Sequence, residues 1–323
     1  MLWVTTRLWK SNRSSLFKYQ KLWYADSRHT TVFLYRRKAY PLIIDFHTHT
    51  FPDKIATAAV DKLQHMSHTR PFTDGTCAQL RHSMEQAGID CSVVLPVATN
   101  THQVTHVNDA SAKLNEQGGG LISLGCMHPH LEDWEQELER IASLGLKGIK
   151  IHPVYQDTDI DDGRFVRILA KCAALGLIVV THAGLDVGFP GKVNCSPAMI
   201  RNAIDKAGPV TMVLAHMGGW RNWQEVAGQL ADTGVYLDTS FSLGHMTANG
   251  DGYYNDRESL ALLREDEFMA LVQAFGTQRI LFGTDSPWGG QRQTLSAIRS
   301  LPLTPDEQAA ILGQNACRLL DLA

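Results

Sequence analysis

No apolar run in the 323 residues approaches the roughly 18 needed to span a membrane, which excludes a helical integral membrane protein. Cysteine is scarce and dispersed. Cys77, Cys91, Cys126, Cys172, Cys195 and Cys317 form no close pair, which excludes a zinc knuckle and a disulfide scaffold and makes a reducing cytoplasm the expected location. Positive charge is not in excess: 30 Lys and Arg against 33 Asp and Glu leave a net charge of -3, no general field for nucleic acid or anionic lipid. Phosphate loops are missing too, since no Gly-x-Gly-x-x-Gly or Walker pattern follows any strand-like run. Low-complexity segments are absent. What is present is ample apolar material, 44% of the chain, and 14 histidines, several of them at the ends of apolar runs.

Charge divides the chain. Residues 1–40 hold nine Lys and Arg with Asp26 as the one acid, leaving 21 basic and 32 acidic residues beyond them. This leader carries nine aromatics but no helical or strand period. A targeting segment, a flexible arm and sequence upstream of a misplaced start are the readings, the last preferred, with a folded domain expected over 41–323.

From residue 42, short β-rich runs alternate with helix-period segments, which predicts βα units on a parallel sheet. Eight strands are expected, at 42–46, 92–96, 121–125, 148–151, 177–180, 211–214, 235–238 and 279–282, with helices such as 131–144, 164–175 and 198–206 between them. A last helix is expected over 305–322. Ser196-Pro197 opens one helix, and Gly145, Gly176 and Gly208 close others. Eight units in about 280 residues fit an α/β fold of the (β/α)8 TIM-barrel class, with a doubly wound sheet as the alternative.

In such a barrel the reactive groups stand at the C-terminal ends of strands. Strand one ends Asp45-Phe46-His47-Thr48-His49, and period-two alternation sends His47 and His49 to one side. Further polar ends are Lys150 and His152 on strand four, His182 on strand five, His216 on strand six and Asp285 on strand eight. Neutral imidazoles with a carboxylate suit a divalent ion, zinc first and manganese second, and a set of three or four with an open position is a catalytic kind of site. His65, His68, His82, His102 and His106 are expected in solvent, and His128 and His130 at the barrel rim.

These anchors, Asp45-Phe46-His47-Thr48-His49, Gly148-Ile149-Lys150-Ile151-His152-Pro153, Thr181-His182-Ala183-Gly184, His216-Met217-Gly218-Gly219 and Gly283-Thr284-Asp285-Ser286-Pro287, resemble the amidohydrolase superfamily. Within it they are similar to the branch containing aminocarboxymuconate-semialdehyde decarboxylase. The resemblance implies His47, His49, His182 and Asp285 as metal ligands, one ion before two, with His216 and Asp285 catalytic. Lys150 and His152 are implied as contacts to substrate or to a second metal, Lys150 in the form of a carboxylated bridge or a plain cation.

The implied reaction is hydrolysis of a small ester, lactone or amide by metal-activated water. Decarboxylation of an unsaturated or aromatic acid is the alternative, and a barrel that only binds ligand is a third reading. The expected partner is a small-molecule substrate, with neither nucleic acid nor membrane, and a homo-oligomer is left open. Residues 185–195 and 240–255 look like lids, the first offering Asp186 and Lys192, the second His245, Tyr253 and Tyr254, while Trp288 and Arg292 wall the pocket or begin a helix.

Overall fold

The computed structural model describes residues 41–322, so the basic leader at 1–40 lies outside the described residues. Nine parallel strand segments follow in order: β1 (Ile44–Thr48), β2 (Cys91–Val94), β3 (Leu121–Ser123), β4 (Gly125–Cys126), β5 (Gly148–Ile151), β6 (Ile178–Thr181), β7 (Met212–Leu214), β8 (Tyr236–Asp238) and β9 (Ile280–Leu281). The third and fourth share one strand position broken at Leu124, whose N–H donates to the Val94 carbonyl at 3.0 Å. Nine segments therefore fill the eight expected positions.

The two ends of the sheet meet. The Phe46 N–H donates to the Phe282 carbonyl at 2.7 Å, the Asp285 N–H to the His47 carbonyl at 2.8 Å and the His49 N–H to the Ser286 carbonyl at 2.6 Å. These bonds close a (β/α)8 barrel and tie the first strand to the loop after the last.

Strand alternation divides the apolar residues into two cores. Ile44, Phe46, Val93, Leu95, Leu124, Val180, Val213 and Leu281 pack together, floored by Ala316 and Leu320 of the closing helix. Ile149, Ile151, Val179, Leu214, Leu237 and Phe282 pack with Leu138, Phe165, Ile168, Ile200 and Phe268 of the surrounding helices. Burial of this order supplies the main stabilising term, about 25 cal/mol per Å² of apolar surface.

The helices lie close to where periodicity puts them, at Trp134–Ser143, Gly163–Leu175 and Pro197–Ala207. Ser196 caps the last of these by accepting from the Met199 N–H at 3.3 Å, ahead of Pro197. In the first helix, Asp53–Ser67, Pro52 holds the cap position and Asp53 stands in the first turn, placed to favour the helix dipole. The closing helix is not continuous. Helical segments at Pro305–Ala309 and Asn315–Leu320 flank a π turn at Ala310–Gln314. The wider turn leaves the Ile311 carbonyl to accept the Phe282 N–H at 2.9 Å. Gly313 sits against the start of β1, where a Cβ would meet the Leu42 carbonyl oxygen at 1.8 Å.

Among the described residues no helix is long and apolar enough to cross a membrane, and all six cysteines are free.

Candidate metal centre

The pairing register of β1 shifts between Asp45 and Thr48. Phe46 belongs to the inner core while His47, the next residue, lines the mouth cavity. A bulge of this kind re-aims side chains beside active sites. Asp45, between the inward Ile44 and Phe46, faces the helix side by ordinary alternation, and its buried carboxylate accepts from the Thr284 N–H at 2.9 Å, the Thr284 hydroxyl at 2.6 Å and the Gln291 amide at 2.7 Å. Burial pushes this carboxyl up to about 7 against those donors. The network clamps the loop carrying Asp285 to the strand carrying His47.

Three Lewis bases converge at the mouth. His47 Nε2 and His49 Nε2 lie 3.1 Å apart, and Asp285 Oδ1 lies 3.5 and 3.1 Å from them. The other ring nitrogens settle the tautomers. His47 Nδ1 meets the Asp238 carboxylate at 2.8 Å, and His49 Nδ1 meets the Leu95 carbonyl at 2.7 Å. Both oxygens can only accept, so each Nδ1 carries the hydrogen and each Nε2 presents a lone pair. Burial, reinforced by the Lys150 charge, lowers His47 to about 4, so its ring is neutral. Two lone pairs facing each other beside a carboxylate repel, and a divalent cation among them converts that repulsion into coordination. His47, His49 and Asp285 therefore fit a metal ion.

Around them the charges are ordered. Burial raises Asp238, but His47, His216 and Ser240 outweigh it and hold the carboxyl at about 2. Asp285 is buried beside them. Its backbone sits at φ 64° and that of His216 at φ 58°, left-handed conformations that are costly for ordinary residues and recur at functional sites. Gly283 is required just before them, because a Cβ there would lie 2.9 Å from His47 Cβ.

His182 is placed differently from the other implied ligands. With His152 and Asp186 it forms a second group whose ligand atoms lie within 4.8 Å of one another, while His47, His49 and Asp285 form the first. The His182 and His152 rings stack with centroids 4.3 Å apart, and His182 Nε2 donates to the Leu185 carbonyl at 2.9 Å. His216 bridges the groups, its ring 5.3 Å from that of His47 and 5.0 Å from that of His182. Its Nδ1 donates to the Ser240 carbonyl at 3.0 Å, leaving Nε2 as the free nitrogen. Burial lowers its pKa while Asp285 and Asp238 oppose the shift. Lys150 is 1% exposed, with Nζ 3.4 Å from His47 Nε2.

His47, His49, Lys150, His152, His182, Asp186, His216 and Asp285 all line one cavity of about 870 Å³, walled by Phe51, Tyr155, Phe189, Trp220, Phe241 and Trp288. The loop at 185–195 contributes Asp186 and Phe189, whereas Lys192 pairs with Asp157 at 2.6 Å. The loop at 240–255 contributes Phe241. Residues 242–246 pair with 260–263, while Tyr254 donates to the Ser67 carbonyl at 3.4 Å and Tyr253 stacks on His68 at 3.8 Å. His245 is exposed and bonded to Arg257, and Arg292 is exposed at a helix start. His65, His82, His102 and His106 are exposed and His68 is half-buried, while His128 and His130 lie outside the cavity lining.

Asp238 was missed by the sequence reading, although it ends an apolar run just as Lys150 and His182 do. That rule, applied to every strand, would have found it.

The family model described as Amidohydrolase matches residues 44–322. Solved structures share the fold. 5-Carboxyvanillate decarboxylase from Sphingomonas paucimobilis is 17% identical with a TM-score of 0.64, covering 87% of this chain and 99% of that one. An uncharacterised TIM-barrel protein from Bordetella bronchiseptica is 19% identical with a TM-score of 0.66, covering 86% and 98%. Dihydroxybenzoic acid decarboxylase from Polaromonas, solved with bound manganese and the inhibitor 2-nitroresorcinol, is 15% identical with a TM-score of 0.61, covering 87% and 97%. No curated protein matches the sequence.

Proposed function

We propose that this chain, which belongs to the amidohydrolase family, is a metal-dependent decarboxylase of an aromatic or unsaturated carboxylic acid. The observation that carries the metal is the pair of opposed Nε2 lone pairs of His47 and His49 beside Asp285. Zinc or manganese suits this donor set, with manganese supported by its presence in the Polaromonas enzyme. Carbon–carbon cleavage is preferred to hydrolysis because structural neighbours are decarboxylases by name and because the cavity is walled by aromatic rings that suit a planar acid.

His47, His49 and Asp285 would hold the ion, which would supply a Lewis acid for the negative charge on substrate oxygen. The bond from the ring or vinyl carbon to its carboxylate breaks. The electron pair stays on that carbon, carbon dioxide leaves, and the carbon takes up a proton. His216 is placed to relay that proton: its Nδ1 hydrogen is held by the Ser240 carbonyl, so Nε2 takes a proton from solvent and passes it to the carbon. Phe189, Phe241 and Trp288 exclude water from the reacting carbon.

The test is a panel of aromatic and α,β-unsaturated acids offered to metal-loaded protein in deuterated water. Carbon dioxide equal to the acid consumed, with deuterium on the vacated carbon, is expected for at least one member. Opening of esters, lactones or amides with no carbon dioxide from any acid would overturn the reading.

A further inference from the structure

Two helix faces that the proposed reaction does not use form an aliphatic lobe of the cavity. Along the first helix, Ile55, Ala59, Leu63 and Met66 recur at the spacing of one face, and along the helix Val104–Gln117 so do Val107, Ala110 and Leu114. Both stripes line the same cavity as His47, His49 and Asp285, so the lobe is continuous with the metal centre. The protein covers them only in part: Ile55 is 53% exposed, and Leu63, Met66, Val107 and Leu114 are half-buried. Contiguous apolar surface left open in this way marks a binding groove. Polar side chains along it are engaged already. The Ser111 and Ser123 hydroxyls bond each other at 3.0 Å, and Gln103 accepts from the Thr99 N–H at 2.8 Å, while the charged Asp53 and Lys62 are exposed. The whole cavity, about 870 Å³, stands near the top of the range of roughly 300–1,000 Å³ that encloses drug-sized ligands, more than a single-ring acid fills.

We propose that this lobe receives an aliphatic chain carried by the substrate, so that the enzyme acts on alkyl- or alkenyl-substituted acids in preference to the bare ring. The acid head at the metal centre rests on the decarboxylase reading, whereas the chain is read from the two helices alone. Ala59 and Ala110 stand within the stripes, where their small side chains leave room that a larger one would fill. Chain contacts far from the reacting carbon are equal in the bound acid and in the transition state. They therefore tighten binding and lower KM without raising kcat.

The experiment is calorimetric titration of the metal-loaded protein with benzoate and with its 2-, 3- and 4-substituted ethyl, butyl and hexyl derivatives. For wild type, affinity is expected to rise about two- to fourfold per methylene in at least one of the three series, the worth of a buried methylene. Ala59→Phe and Ala110→Phe fill the lobe from different helices, and in a folded variant, checked by melting temperature and metal content, the rise is expected to fall below about 1.5-fold per methylene. The slope is read within each protein, so a uniform loss of affinity cancels. Flattening in either variant supports the proposal. No rise with chain length in any wild-type series, or a slope that survives in both variants, would overturn it. Sedimentation adds a second arm: a wild-type dimer that Ala110→Phe splits, with no chain-length gain, would give the lobe to a second copy and also overturn the proposal. If chain length tightens binding but no acid loses carbon dioxide, only the decarboxylase reading falls. If carbon dioxide is released and chain length is immaterial, only this proposal falls.

Discussion

Asp285→Asn is expected to lower turnover by about 10³-fold or more and to release most of the bound ion. Asparagine keeps the side-chain shape and tolerates the left-handed backbone at φ 64°, so the loop should hold its course. What disappears is the negative charge beside the two imidazoles. An amide oxygen facing the Nε2 lone pairs of His47 and His49 binds a cation far more weakly than a carboxylate. Elemental analysis after gel filtration, beside initial rates on the active acid, reads both effects. Full metal content together with a near-normal rate would remove Asp285 from the centre.

His216→Asn is expected to cut the rate by roughly 10²- to 10⁴-fold, the usual worth of a positioned acid or base, while leaving the metal content unchanged. His216 lies outside the three converging ligands, and asparagine again suits its backbone at φ 58°. The contrast with Asp285→Asn separates proton transfer from ion binding. Loss of part of the metal in His216→Asn would put this ring among the ligands. Ordinary turnover in that variant would remove it from the mechanism.

Much of the barrel was legible because strand runs, helix periods and caps repeat the same local chemistry eight times. The site was legible to the extent that strand ends announce it: His47, His49, Lys150, His152, His182, His216 and Asp285 all line the cavity. Features made by contacts distant in sequence were not legible. The bulge that turns His47 inward depends on how β1 pairs with β2, and nothing in Asp45-Phe46-His47 announces it. Asp45 reads as part of the histidine motif but acts as the clamp on Thr284 and Gln291, 239 and 246 residues away. The π turn at Ala310–Gln314 answers to the Phe282 N–H, so helical periodicity alone runs straight through it. The grouping of His182 with His152 and Asp186 follows from a loop carbonyl, that of Leu185, and carries no sequence signature.

That His47, His49 and Asp285 hold a divalent ion is tested most directly by anomalous diffraction from crystals of the protein as purified, collected at the zinc and manganese absorption edges. A single strong peak is predicted within bonding distance, about 2.0–2.2 Å, of His47 Nε2, His49 Nε2 and an Asp285 oxygen. Crystals grown with either metal in excess that show no peak among these three side chains would contradict it.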